Sequence, residues 1–194
     1  MARVTLCVVL SLSVLTGCAT PPHVQGQKAL RQGLYDEAAG HFEEVLIRDA
    51  ERLDALAGLG ISRYKLGDFD EAVDALERVV ARAPKDATAQ LYLGLSYLQK
   101  GDYGRAEEHL MALLDLKPEP RLSAQIDRAL RLLRLEPPSD ELRGFLAASL
   151  EDEAEWAREV SEARREARLA RQRGYAPSDR FTFVTRSGRL VRCF

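Results

Sequence analysis

GLYDEA at residues 33–38, GDFDEA at 67–72 and GDYGRA at 101–106 repeat one pattern: glycine, any residue, an aromatic, two residues, alanine. Each recurrence comes 34 residues after the last. A fixed period of that length implies a row of equivalent helix pairs, each too small to bury its apolar face alone. In the third copy Leu91, Leu93, Gly94, Tyr97 and Leu98 fall at helical spacing. Gly101 interrupts, and Tyr103, Ala106, Leu110, Leu113 and Leu114 then resume the pattern. The reading is two short amphipathic helices joined at a tight turn. Gly94 and Ala106 are small where the helices would cross, which lets the axes approach within the lower end of roughly 8–10 Å. Tyr97 and Tyr103 fill the space beside that crossing. Pro118 blocks continuation of the second helix, and Pro84 does so one period earlier.

The second copy carries the same parts in Leu59, Gly60, Gly67, Phe69, Ala72, Leu76, Val79, Val80 and Pro84. The first keeps Gly33, Tyr35, Ala38, Phe42 and Leu46 in its second helix, while Pro21 and Pro22 cut its first helix short. Ala50 stands where the closing proline would be. On Leu-Gly, Gly-x-Tyr/Phe, Ala and the closing Pro, the chain resembles the tetratricopeptide-repeat family over residues 22–118. The resemblance implies an all-α superhelix of three helix pairs, at 22–50, 51–84 and 85–118, closed by a capping helix. It also implies protein-protein binding in a concave groove lined by the first helix of each pair. Residues of those helices left over from packing are Asp54, Ile61, Tyr64, Lys65, Thr88, Leu91, Tyr92, Leu95, Leu98 and Gln99. Such a surface would accept an amphipathic helix or extended peptide, with Tyr64 and Tyr92 as anchors and Lys65 and Asp54 for orientation. The other reading puts the chain's own residues 142–160 in that groove, and sequence does not choose between them.

Residues 1–17 read as an export signal. Arg3 supplies the positive start, and the apolar core from Val4 to Thr16 is too short for a span of about 20 residues. Leu15-Thr16-Gly17-Cys18 looks like a bacterial lipoprotein lipobox. That resemblance implies cleavage before Cys18, a covalent lipid with palmitate among its chains on Cys18, and a tether over 18–21. Ala19, rather than an aspartate, implies the outer membrane, with the protein facing the periplasm. The alternatives are ordinary cleavage after Ala19, which leaves a secreted protein, and an uncleaved short anchor. Cys7 leaves with the signal, so an acylated Cys18 leaves Cys193 a free thiol or the bridge of a disulfide-linked dimer.

The formal net charge of −2 gives no support for a nucleic-acid binder. Charge is nonetheless uneven: the repeats are acidic, and residues 157–194 hold ten Arg against four Asp/Glu. After Pro120, Leu122, Ile126, Ala129, Leu130 and Leu133 share one helical face and predict a capping helix within 119–136. Pro137 and Pro138 end it, and Ser139 is a candidate N-cap for a long helix over 139–173. There Leu142, Phe145, Leu146, Leu150, Trp156 and Val160 form a stripe that thins to Ala163, Ala167 and Ala170. Its acidic cluster (Glu151, Asp152, Glu153, Glu155) and its Arg-rich turns predict i,i+4 pairing on a solvated face, against a basic docking site for an anionic partner. Residues 174–194 form a basic tail in which FTFVTRSGRLVRCF alternates around Ser187-Gly188, a hairpin signal. That tail could pack on the long helix, pair with a partner's strand or be disordered.

No catalytic residue, metal ligand set or cofactor motif is expected. His23, His41 and His109 lack ligand spacing and read as solvent-facing helix residues. No phosphate loop or nucleophile set is present to take a small-molecule substrate. The functional expectation is a non-enzymatic, lipid-anchored scaffold for envelope proteins, serving pilus or secretin assembly, barrel insertion or peptidoglycan-enzyme regulation. The rival is an enzyme-accessory or glycan-binding module in 139–194, with the repeats as its handle.

Overall fold

The computed structural model describes residues 20–135 and 137–172, and the backbone of 181–184 and 190–193. Residues 1–19, on which the expected export signal and Cys18 fall, and the segment 173–180 lie outside the described residues. Helices run in three pairs: α1 (Pro22–Gln32) with α2 (Tyr35–Arg48), α3 (Leu53–Leu66) with α4 (Phe69–Arg82), and α5 (Ala87–Lys100) with α6 (Tyr103–Asp115). Then come α7 (Pro120–Leu135), α8 (Asp140–Gln172) and a ribbon of β1 (Phe181–Val184) and β2 (Leu190–Cys193).

The repeated glycine makes the turn inside each pair. Gly33, Gly67 and Gly101 have φ of 76°, 87° and 77°, a left-handed conformation that a Cβ would penalise. Each ends its helix with the same two backbone bonds. In the second pair Gly67 N–H donates to the Tyr64 carbonyl at 3.1 Å and Asp68 N–H to that of Arg63 at 2.9 Å. In the third pair Gly101 donates to Leu98 at 3.1 Å and Asp102 to Tyr97 at 2.9 Å. Carbonyls that the helix end would orphan are thus satisfied, and the chain reverses within a few residues. Asp102 then accepts a bond from Arg105 N–H at 3.2 Å and caps the next helix.

A second glycine series sets how closely the paired helices cross. A Cβ on Gly60 would lie 2.5 Å from Leu76 Cγ, and one on Gly94 would lie 3.2 Å from Leu110 Cγ. Gly26 occupies the same place in α1, against the Phe42 ring at 3.0 Å. The first pair is therefore more complete than the sequence reading had it. Pro22 opens α1 at the first helical position, where proline's fixed φ suits the helix and its missing N–H costs nothing. α1 is short, at 11 residues against 14 for α3 and α5, but it packs as a full partner of α2.

One buried cluster runs from α3 to α8, and a smaller one of Ala29, Ala38, Phe42, Val45 and Ala55 closes the first pair. Leu46 packs against both. The expected capping face of α7 is buried at all five positions, Leu122, Ile126, Ala129, Leu130 and Leu133. Ser139 Oγ accepts a bond from Leu142 N–H at 3.3 Å, starting α8 where the sequence placed it. The α8 stripe is corrected: Phe145 is 66% exposed and Leu142 36%, because Leu146, Ala147, Leu150 and Ala157 make the buried seam one face over. Nothing on α8 beyond Val160 is buried. In the tail β1 and β2 pair antiparallel, Phe181 opposite Cys193 and Val184 opposite Leu190. The Ser187-Gly188 turn and the Cys193 side chain, on which the dimer reading depends, lie outside the described residues.

The two crossing glycines should respond differently to one added methyl. Leu76 is fully buried and cannot yield, so Gly60→Ala is expected to cost about 1–3 kcal/mol by overpacking. Gly94→Ala meets a looser contact and gains up to about 1 kcal/mol of helix propensity, leaving it near neutral. Chemical denaturation of both variants checks this, and equal losses would contradict it.

Candidate interaction groove

Helices α3 and α5 place the ten expected groove residues in three environments. Asp54 and Thr88 are exposed at the starts of their helices, while Ile61, Lys65, Tyr92 and Gln99 are half-buried. Tyr64, Leu91, Leu95 and Leu98 are buried, the last two completely. An open apolar groove is therefore not what this chain presents. α8 lies along it, and Leu91, Leu95 and Leu98 share the buried cluster with Leu146, Ala147, Leu150 and Ala157 of α8. The physical reason is the apolar surface itself, which water leaves uncovered only at a cost of about 25 cal/mol per Å².

At the centre of this contact a carboxylate enters the groove. Glu151 pairs with Lys65 Nζ at 2.5 Å, with only 18% of its side chain exposed. Tyr64 and Tyr92 both lie beside Glu151, and Gln99 lies beside Tyr64. Burial first, then the Glu151 charge, pushes both phenols well above their ordinary range, so they remain donors. The two rings meet edge to face at 5.3 Å, and Phe69 flanks Tyr64 at 5.8 Å. The expected anchors Tyr64 and Tyr92 thus already flank a ligand group, supplied by the chain's own helix. Asp54 is engaged too, by Arg52 at 2.8 Å and His23 at 3.2 Å.

Charges elsewhere on α8 pair within the helix, as Arg143 with Asp140 and Arg158 with Glu155, and also tie it to the array. Arg121 of α7 pairs with Glu153 at 2.9 Å and lies over the Trp156 ring at 4.4 Å. Arg164 pairs with Glu119, and Gln125 bonds to Ser149 at 2.5 Å. At the other end Arg143 reaches the Tyr103 hydroxyl at 3.2 Å. The sequence reading took the acidic cluster as pairing within the helix and so missed Glu151 and Glu153. The available signal was the small-residue spacing Ala147, Leu150, Ala154, Ala157, which marks a seam for close helix approach with Glu151 beside it.

The repeats are also fastened to one another by polar groups. Arg63 joins Glu43 at 2.5 Å, Asp68 at 3.2 Å and Glu71 at 3.0 Å, linking α2, α3 and α4. His109, expected to face solvent, is half-buried. It stacks on Tyr97 at 5.6 Å with planes 8° apart, and its Nδ1 meets Gln90 Oε1 at 2.9 Å. Arg105 covers the Tyr97 ring at 4.3 Å, and the Tyr97 hydroxyl bonds to Glu77. Among the described residues no cluster of three or more His, Cys, Asp or Glu side chains could hold a metal ion. Among the same residues no helix is long and apolar enough to cross a membrane.

His109 gives the array a pH dependence of defined sign. Burial lowers its pKa below the ordinary value, so the unfolded chain binds the proton more readily than the folded one. Its contribution is complete above about pH 6.5, the unfolded value, and is lost as pH falls toward the lower folded value. The thermal midpoint should therefore fall between pH 7 and pH 5.5, and fall less in His109→Gln. Identical pH profiles for the two proteins would show that His109 carries none of the effect.

Comparison with known proteins agrees with this geometry. The tetratricopeptide repeat profile matches residues 23–64 and 58–119. A search of the curated proteins gives no match. Among solved structures, the type III secretion translocator chaperone SycD of Yersinia enterocolitica is similar at 24% identity and a TM-score of 0.55. The match covers 59% of this chain and 81% of that one. MamA, seen as the RS-1 ArsTM double mutant, is similar at 25% identity and a TM-score of 0.56, over 69% of this chain and 75% of that one. The TPR2B domain of yeast Sti1, in a complex with pHsp70, is similar at 18% identity and a TM-score of 0.51, over 57% and 90%. With three glycine-closed helix pairs, a capping helix and that profile match, the chain belongs to the tetratricopeptide-repeat family.

Proposed function

We propose that the protein is a lipid-anchored periplasmic adaptor that binds and positions envelope proteins at the outer membrane. The observation that carries this reading is the repeat array itself, whose α3–α5 face is shaped and charged to hold a helix. SycD has been seen with a peptide of the translocator YopD, so the same fold accommodates a peptide there. The envelope location rests on the sequence Leu15-Thr16-Gly17-Cys18 behind a short apolar segment. Two or more acyl chains on Cys18 would make attachment stable, since each buried CH₂ contributes about 0.8 kcal/mol.

No catalytic role is assigned to the array: buried Ser62 and Ser96 bond back to carbonyls of their own helices, and Gln90 meets His109. The rival reading, a separate glycan-binding or enzyme-accessory module in 139–194, is weakened by one observation. Leu146, Ala147, Leu150 and Ala157 bury themselves in the array's core, so this part of α8 has no core of its own.

Two measurements in cells test the proposal. Cys18→Ala should move the protein from the membrane fraction to the soluble fraction, and unchanged membrane association would remove the anchor. A photo-cross-linker placed at Thr88, at the exposed end of the groove, should capture a defined set of envelope proteins. The same probe at Asp74, exposed on α4, should not. Matching adducts from both positions would rule out the groove as the docking surface.

A further inference from the structure

We infer that α8 is an internal stand-in for the partner's binding segment. The α3–α5 groove accepts, in exchange for α8, an amphipathic helix of a partner protein that presents one carboxylate between small apolar residues. This rests on the adaptor reading above and adds to it the chemistry of the partner and the means of control. The occupant's required features are those α8 displays. Its seam of Ala147, Leu150 and Ala157, with Ala154 partly buried beside it, shares one buried cluster with Leu91, Leu95 and Leu98 of α5, against which α8 packs. Small side chains at that seam let the helix axis sit low in the groove. Glu151 then pairs with Lys65 beside the packed rings of Tyr64 and Tyr92, a cation in a low-dielectric setting that complements a single anion.

The design of α8 fits a displaceable occupant. Only Leu146, Ala147, Leu150, Ala157 and Val160 are buried in a helix of 33 residues. Much of the attachment is ionic and lies at the rim: Glu153 to Arg121, whose side chain is 55% exposed, and Arg164, 58% exposed, to Glu119. Pairs of that exposure contribute little each, of order 0–1 kcal/mol. The α7 cap, by contrast, buries its whole apolar face in 16 residues, packed against α6 on one side and α8 on the other. Exchange of α8 for a partner helix of like character keeps both the carboxylate site and the α8-facing side of α7 covered.

The exchange is tested with the full mature chain and one defined probe, a fluorescein-labelled synthetic peptide of residues 140–163. Wild type, with its groove filled, should bind the probe weakly. Glu151→Lys places a cation against Lys65, loosens the internal helix and should raise probe affinity at least about tenfold. Lys65→Glu combined with Glu151→Lys restores the internal pair in reverse and should return affinity to the wild-type level or below. A probe carrying Lys at its Glu151 position should lose about tenfold on the opened protein. No gain in Glu151→Lys, or equal binding of the two probes, overturns the proposal. Should Glu151→Lys fail to fold, hydrogen exchange on wild type decides. Amides of 142–160 must exchange by an opening that leaves α5 protected, and exchange only on global unfolding refutes displacement. Probe exchange without groove cross-links in cells would remove the adaptor reading and leave the exchange standing. Cross-links without probe exchange would do the reverse.

Discussion

Close approach of two helices at a glycine is the constraint on which the rest of this structure depends. Gly60 lets α3 rest directly on Leu76, with no room there for a larger side chain, and Gly94 lets α5 rest on Leu110 in a somewhat looser contact. The left-handed glycine that ends each first helix then fixes the direction in which the second departs. Crossing and turn together set the shape of one pair, and identical pairs stack because their exposed faces are alike. Arg63 and the Tyr97–His109 stack add orientation to that stacking rather than driving it. Groove geometry follows from the same source, since the first helices line one side only while every pair has the same crossing.

Once built, the groove presents the chain with a problem of exposed apolar surface. Leu91, Leu95 and Leu98 are too many contiguous apolar groups to leave in water, and α8 buries the face they help to form. Inserting Glu151 there is not the most stabilising choice. A partly desolvated carboxylate is offset by Lys65 only when the pair is in place, and an apolar residue would serve stability at least as well. What the carboxylate adds is register, because one position along α8 meets Lys65. That is a property of a recognition site, and it holds whichever helix supplies the acid.

The fold was legible because its determinants are local and periodic. Gly33, Gly67 and Gly101 sit at fixed spacing, and each is required by its own backbone conformation, independent of what packs nearby. The α7 cap could be read from one face of one helix. Gly26 was overlooked for an instructive reason: the prolines before it suggested a broken helix, yet proline at a first helical position begins one. Groove residues were placed on the correct helices, but their burial was not foreseen. Covering by α8 depends on contacts 60–90 residues apart in sequence, such as Lys65 with Glu151, which no periodicity encodes. Phe145 misled because side-chain size outweighed helical phase, and the seam runs through Leu146, Ala147, Leu150 and Ala157 instead.

The two ends of the array are treated differently, and this bears on where a partner approaches. At the C-terminal end α7 and α8 remove apolar surface, with Arg121, Gln125 and Glu119 binding α8 across the cap. Among the described residues nothing comparable covers the N-terminal end, where Val24 is 43% exposed and Leu34 45% exposed on the first pair. A chain acylated at Cys18 has only a few residues before α1 begins at Pro22, and each spans at most about 3.6 Å. The uncovered end would then face the lipid, and the α8-covered groove would extend away from it. A partner helix displacing α8 would enter from the far end, where Phe145 and Leu142 stand exposed at the start of the helix to be displaced. Anchoring and capping would thus act together, with the lipid limiting access to one end of the groove and α8 limiting access to its length.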